Sequence, residues 1–127
     1  MSAPRPAAVA GRFYPDDPER LTSAIDALLA AAGPCEPTDT PKAIIAPHAG
    51  YPYSGPIAAS AYAHLRVPGA TVERVVLLGP AHWWPAPGIA VPSCSAFRTP
   101  LGDVPVDATA ISRLAELDFI QVVDEAH

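Results

Sequence analysis

Residues 43–55 read Ala43-Ile44-Ile45-Ala46-Pro47-His48-Ala49-Gly50-Tyr51-Pro52-Tyr53-Ser54-Gly55, and this stretch decides the fold class. Its first four residues form an uninterrupted apolar run. Such a run predicts a short strand covered on both faces, as in a parallel sheet. A loop over Pro47–Gly55 follows, and Pro56 then opens a helix running to Leu65, with Ile57, Ala61 and Leu65 on one face. The same grammar returns further on. Val75–Leu78 is a second buried strand, and Gly79–Gly88 is a loop that carries His82, Trp83 and Trp84.

Working outward, Asp17, Pro18 and Glu19 mark a helix start by side-chain cap, fixed φ and dipole complement. Leu21, Ile25, Leu28 and Leu29 then share one stripe, and Gly33-Pro34 stops the helix before a turn-rich linker over residues 34–41. Residues 1–10 are rich in proline and alanine and read as extended. Downstream, Gly88–Pro92 is a weaker strand, and residues 97–106 make a hairpin-like excursion. Asp107 caps a third helix with Ala110, Ile111, Leu114 and Leu117 inward, and Phe119–Val123 is a last strand. The order predicts an α/β fold with a mostly parallel sheet flanked by helices. Right-handed crossover sets the first two strands side by side or one apart.

Composition narrows the function classes. The 127 residues suffice for one domain, and half are hydrophobic. There are 17 prolines, against a usual share of about 5%. That describes a globular chain with punctuated loops. The net charge is −5 with no basic block, which argues against nucleic acid as a partner. No apolar run approaches the ~18 residues of a membrane span, and no secretory leader is legible, so the expected location is cytoplasmic. Cys35 and Cys94 lack any CxxC spacing and read as ordinary thiols. Nucleophile-elbow, P-loop, dinucleotide-binding and HExxH patterns do not occur.

The chemistry centres on two histidines. His48 lies two residues past the first strand and His82 four past the second. Parallel strands about 4.8 Å apart would bring both to one carboxyl edge, where open α/β sheets hold their ligands. Two neutral imidazoles suit zinc, copper, iron or nickel. Within this chain Asp103, Asp124, Glu125 and the cysteines are the candidates for a third ligand, and spacing does not choose among them. Tyr51 and Tyr53 flank the first histidine, either to hydrogen-bond a substrate or to pack a pocket floor. The helix start at Ser54-Gly55-Pro56 would favour an anion. Trp83-Trp84 walls a pocket or packs. His64 on the second helix reads as solvated or packed, and His127 says little.

Gly11-Arg12-Phe13-Tyr14-Pro15, the Pro47-His48-Ala49-Gly50-Tyr51 and Tyr53-Ser54-Gly55 motifs, Leu78-Gly79-Pro80-Ala81-His82, Thr99-Pro100-Leu101-Gly102 and Val106-Asp107 together resemble the Memo family. Its prokaryotic members are also called AmmeMemoRadiSam system protein B. The resemblance runs from about residue 5 to the end. It implies a fold similar to class III extradiol dioxygenases and a site binding iron or copper. His48 and His82 match two of the family's metal ligands, and Phe13 and Tyr53 match aromatic positions that contact substrate. Members of the family continue past Asp124-Glu125-Ala126-His127 into a Glu-His-Ser segment, further histidines and a ligand cysteine. Residues 1–127 therefore read as a single partial α/β domain, an N-terminal half. Three functions follow as expectations. One is a metal-dependent, dioxygenase-like redox enzyme. The second is a binding module for a phosphorylated or anionic small molecule or peptide. The third is an inactive fragment that self-associates through an exposed sheet edge.

Overall fold

The first helix forms where its signals predict. In the computed structural model, which describes residues 2–33, 41–66, 71–85 and 87–127, α1 spans Pro18–Ala32. The Asp17 carboxylate accepts the Arg20 N–H at 2.8 Å, which satisfies one of the four amides a helix start leaves unpaired. Gly33 ends the helix at φ +77°. Leu21 is buried, while Ile25, Leu28 and Leu29 are half-buried on the same stripe. Residues 34–40 of the expected linker over 34–41 lie outside the described residues.

The second helix, α2, spans Tyr51–Ala63 and so begins five residues before the expected start at Pro56. A tertiary bond explains the early start. The Tyr51 N–H donates to the Phe13 carbonyl at 2.8 Å, which fixes the entry, and Gly50 takes the cap position. Pro56 sits inside the helix as its sixth residue, where its missing N–H forgoes the bond to the Pro52 carbonyl. The inward face also differs from expectation. Gly55, Ala59 and Ala63 are buried at i, i+4 spacing, whereas Ile57 is exposed and Ala61 and Leu65 are half-buried. Small residues carry the contact because α1 comes close. A Cβ on Gly55 would approach Leu28 Cδ1 to 3.0 Å.

The described chain divides into two compact units. The unit of residues 8–75 holds α1, α2 and a tight turn at Val9–Tyr14, in which the Phe13 N–H donates to the Val9 carbonyl at 2.9 Å. The other unit combines residues 2–7 with 76–127. In it β1 (Ile89–Val91) pairs in parallel with β4 (Ile120–Val122), and β2 (Ala96–Thr99) pairs antiparallel with β3 (Gly102–Pro105). Gly88 precedes β1 at φ +86°, and a side chain there would collide with the Phe119 carbonyl oxygen. Arg98 and Asp103, directly opposite in the hairpin, form an exposed ion pair at 3.0 Å. The N-terminal segment runs alongside. Ser2 N–H donates to the Ser93 carbonyl at 2.9 Å and Arg5 N–H to the Ala96 carbonyl at 2.8 Å. Val91, Cys94 and Ala96 form the buried centre. The third helix, α3 (Ala108–Leu114), is capped by Asp107, whose carboxylate accepts the Ala110 N–H at 2.9 Å. Ala110 and Ile111 are half-buried, but Leu114 and Leu117 are exposed, contrary to expectation.

The fold is thus α/β, with three helices and short strands among the described residues, and without a barrel. The mostly parallel sheet built on residues 43–46 and 75–78 does not form. Neither segment joins a sheet, Ile45 is 97% exposed and Leu77 is 85% exposed. Apolar patterning reports what a segment is suited to. A doubly covered parallel strand also needs neighbours on both edges and a layer on each face, and no described strand pairs with either run. The parallel pairing that does occur joins β1 to β4.

Candidate functional site

The unit of residues 8–75 contains a cavity of about 480 Å³. One wall is Leu28 and Leu29 of α1, and another is Ala58, Ala59 and Tyr62 of α2. Phe13, Tyr14 and Tyr51 add three more aromatic rings, and His48 and Ser54 supply polar edges. The Tyr51 to Phe13 backbone bond assembles this region, because it holds the Val9–Tyr14 turn against the start of α2. Gly50 completes the approach. A Cβ there would lie 3.4 Å from the Phe13 carbonyl oxygen.

Electrostatics around the cavity are muted. The Tyr14 and Tyr51 rings lie 5.8 Å apart, tilted by 42°. Burial, with smaller contributions from Tyr14 and Tyr62, pushes the Tyr51 phenol above its ordinary value, so it stays protonated at neutral pH. The buried Ser54 hydroxyl donates to the Ala49 carbonyl at 2.8 Å. The helix start does not provide the anion site that its sequence suggested. Tyr51 N–H is bonded to Phe13, residue 52 is a proline, and Tyr53 and Ser54 N–H groups both donate to the Gly50 carbonyl at 2.9 and 3.1 Å. The first-turn amides that would cradle an anion are already committed.

The expected site residues are placed as follows. His48 and Phe13 both border the cavity. Tyr53, on the first turn of α2, is 87% exposed. His82 belongs to the other unit, in the irregular segment after Gly79, where Trp83 is also exposed. Among the described residues no three His, Cys, Asp or Glu side chains gather into a metal-binding group. Two candidate third ligands have other work. Asp103 pairs with Arg98, and Asp124 accepts the Ser93 N–H at 2.7 Å and shares a 2.6 Å bond with its hydroxyl. Cys94 is a buried free thiol, His64 caps the end of α2, and Cys35 lies outside the described residues.

Tyr14 and Tyr62 were not singled out from the sequence. Tyr62 had a signal, since it lies eleven residues, or three turns, from Tyr51 on the same helical face. Tyr14 lies in the Gly11–Pro15 motif, which carries the resemblance but does not place it at the cavity, because a turn elsewhere in the chain delivers it.

A family model described as Memo-like protein matches residues 5–127. A MEMO1 family protein of Ignicoccus hospitalis is 45% identical over 95% of this chain and 44% of its own length. A MEMO1 family protein of Aquifex aeolicus is 41% identical over 97% of this chain and 44% of its own. The protein memo-1 homolog of Caenorhabditis elegans is 44% identical over 81% of this chain and 28% of its own. The chain therefore spans less than half the length of these relatives.

Proposed function

We propose, from the premise that this chain belongs to the Memo-like family, that it is a metal-binding protein to which His48 and His82 each contribute an imidazole ligand. The observation that carries the reading is the position of His48, at the edge of an aromatic-lined cavity and immediately before the N-terminus of α2. The donor chemistry supports a d-block ion, iron or copper, over magnesium or calcium, which prefer oxygen ligands. Such an ion would supply redox chemistry, and a dioxygenase-like fold and activity belong to this proposal. Phe13 and Tyr53 are proposed to contact the substrate, a small molecule or peptide. Phe13 would do so from within the cavity and Tyr53 from its exposed place on the first turn of α2. A cytoplasmic location is also part of the reading. No helix among the described residues is long and apolar enough to cross a membrane. Exposed Ile45 and the exposed apolar run at 75–78 support self-association.

The binding-module alternative for an anion loses its main physical support, because the amides at the start of α2 are spent within the protein.

The test is metal uptake. Wild-type protein, stripped by chelation and titrated with Fe(II) or Cu(II), should bind metal with a defined stoichiometry. His48→Ala and His82→Ala should each lower the affinity by roughly tenfold or more. Unchanged uptake in both variants would refute the reading.

A further inference from the structure

Away from His48, the walls of the α1–α2 cavity are those of an apolar site. Four aromatic rings, Phe13, Tyr14, Tyr51 and Tyr62, face it together with leucines and small aliphatic residues. None of its described lining residues is Lys, Arg, Asp or Glu. A charged ligand buried there would lose hydration and meet no Lys, Arg, Asp or Glu to replace it. The polar side chains are few: His48, Ser54 and the tyrosine hydroxyls. The Ser54 hydroxyl donates its hydrogen bond to the Ala49 carbonyl, and Tyr51 remains a protonated phenol. The volume, about 480 Å³, lies in the range of sites for small organic ligands. Ala58 and Ala59 leave this space open, and a larger side chain at either position would fill it.

We propose that this cavity binds a neutral, flat, apolar ring compound, held between the aromatic residues of the Val9–Tyr14 turn and the Ala58 face of α2. The proposal deepens the functional reading of His48 and rests on it, since it names the class of molecule that site receives. Shape and the absence of charge set the preference. Stacking against the tyrosine rings adds to it.

A matched pair of fluorescent probes tests the inference on the full chain. N-phenyl-1-naphthylamine is neutral, and 8-anilino-1-naphthalenesulfonate has the same rings with a sulfonate added. The neutral probe should bind saturably at one site, and the sulfonate should bind roughly tenfold or more weakly. Ala58→Phe and Leu29→Phe, which fill the cavity from opposite walls, should each weaken the neutral probe by roughly tenfold. Ile57→Ser, on an exposed position of α2 outside the lining, should leave it unchanged. Equal binding of the two probes, or wild-type binding in a filled variant whose circular dichroism is native, overturns the proposal. Should neither filled variant fold, amide shifts of the wild-type protein decide. Changes confined to residues 9–14, 28–29 and 48–62 sustain it, and changes at 75–78 or Trp83-Trp84 overturn it. Both measurements on the wild-type chain separate the two readings. Metal uptake without neutral-probe binding refutes this inference alone, and probe binding without metal uptake refutes the metal reading alone.

Discussion

Asp124 shows how much a single carboxylate can organise at the end of a small unit. It accepts the Ser93 N–H and holds the Ser93 hydroxyl, so it ties the segment after β4 to the segment after β1. The Ser93 side-chain and backbone bonds pull its pKa below the ordinary aspartate value. A depressed folded pKa means that the stabilisation is present above the unfolded value near 4 and is lost as pH falls through the folded value. Urea midpoints of wild type and Asp124→Asn, compared between about pH 2 and 6, should therefore differ by a constant amount above about pH 5 and converge in acid. A gap that persists unchanged at the lowest pH would mean that charge on Asp124 contributes nothing. At this scale the sequence is informative about residue type and poor about company. His48 could be singled out because it follows an apolar run and precedes a glycine. The role of Asp124 could not, because its partner lies 31 residues away.

Helices in this protein are legible because their signals are local. Asp17, Pro18 and Gly33 bracket α1, and Asp107 opens α3, each through contacts within a few residues. Asp17→Ala removes the bond to the Arg20 N–H and should cost about 1 kcal/mol. The loss should appear in denaturant midpoints, and hydrogen exchange should quicken in the first turn of α1 and not in α3. Exchange that quickens equally in both helices would show that the cap acts beyond its own element. The start of α2 escapes such reading because a distant carbonyl, that of Phe13, takes its first amide. Strands are harder still. The β2–β3 hairpin is readable from the short turn around Pro100 and Gly102, where the Thr99 hydroxyl donates to the Gly102 carbonyl at 2.9 Å. A parallel pair has no such local mark. Ile89–Val91 meets Ile120–Val122 across some thirty residues, whereas the more apolar runs at 43–46 and 75–78 find no described partner.

For the whole chain, the balance between apolar surface and charge governs behaviour in solution. Half of the residues are hydrophobic and only 17% are charged, below the usual ~25%. Val75, Val76, Leu77 and Leu78 are all largely exposed, four in succession, and among the described residues no strand pairs with them. Such a run is a template for strand pairing with another chain, and nothing at its centre carries the charge that protects natural edges. The net charge of −5 is too small to hold copies apart at physiological ionic strength, where screening acts within about 8 Å. Sedimentation of the wild-type chain should therefore show mass rising above 13.2 kDa with concentration. Replacing two neighbours on the run, Val76→Lys with Leu77→Glu, should return it toward the monomer by placing charge where a second strand would pair. Because the run lies outside the α1–α2 cavity, the same double variant should still bind the neutral probe. A wild-type chain that stays at 13.2 kDa at high concentration would mean that these residues are covered in solution, and the self-association reading would fall.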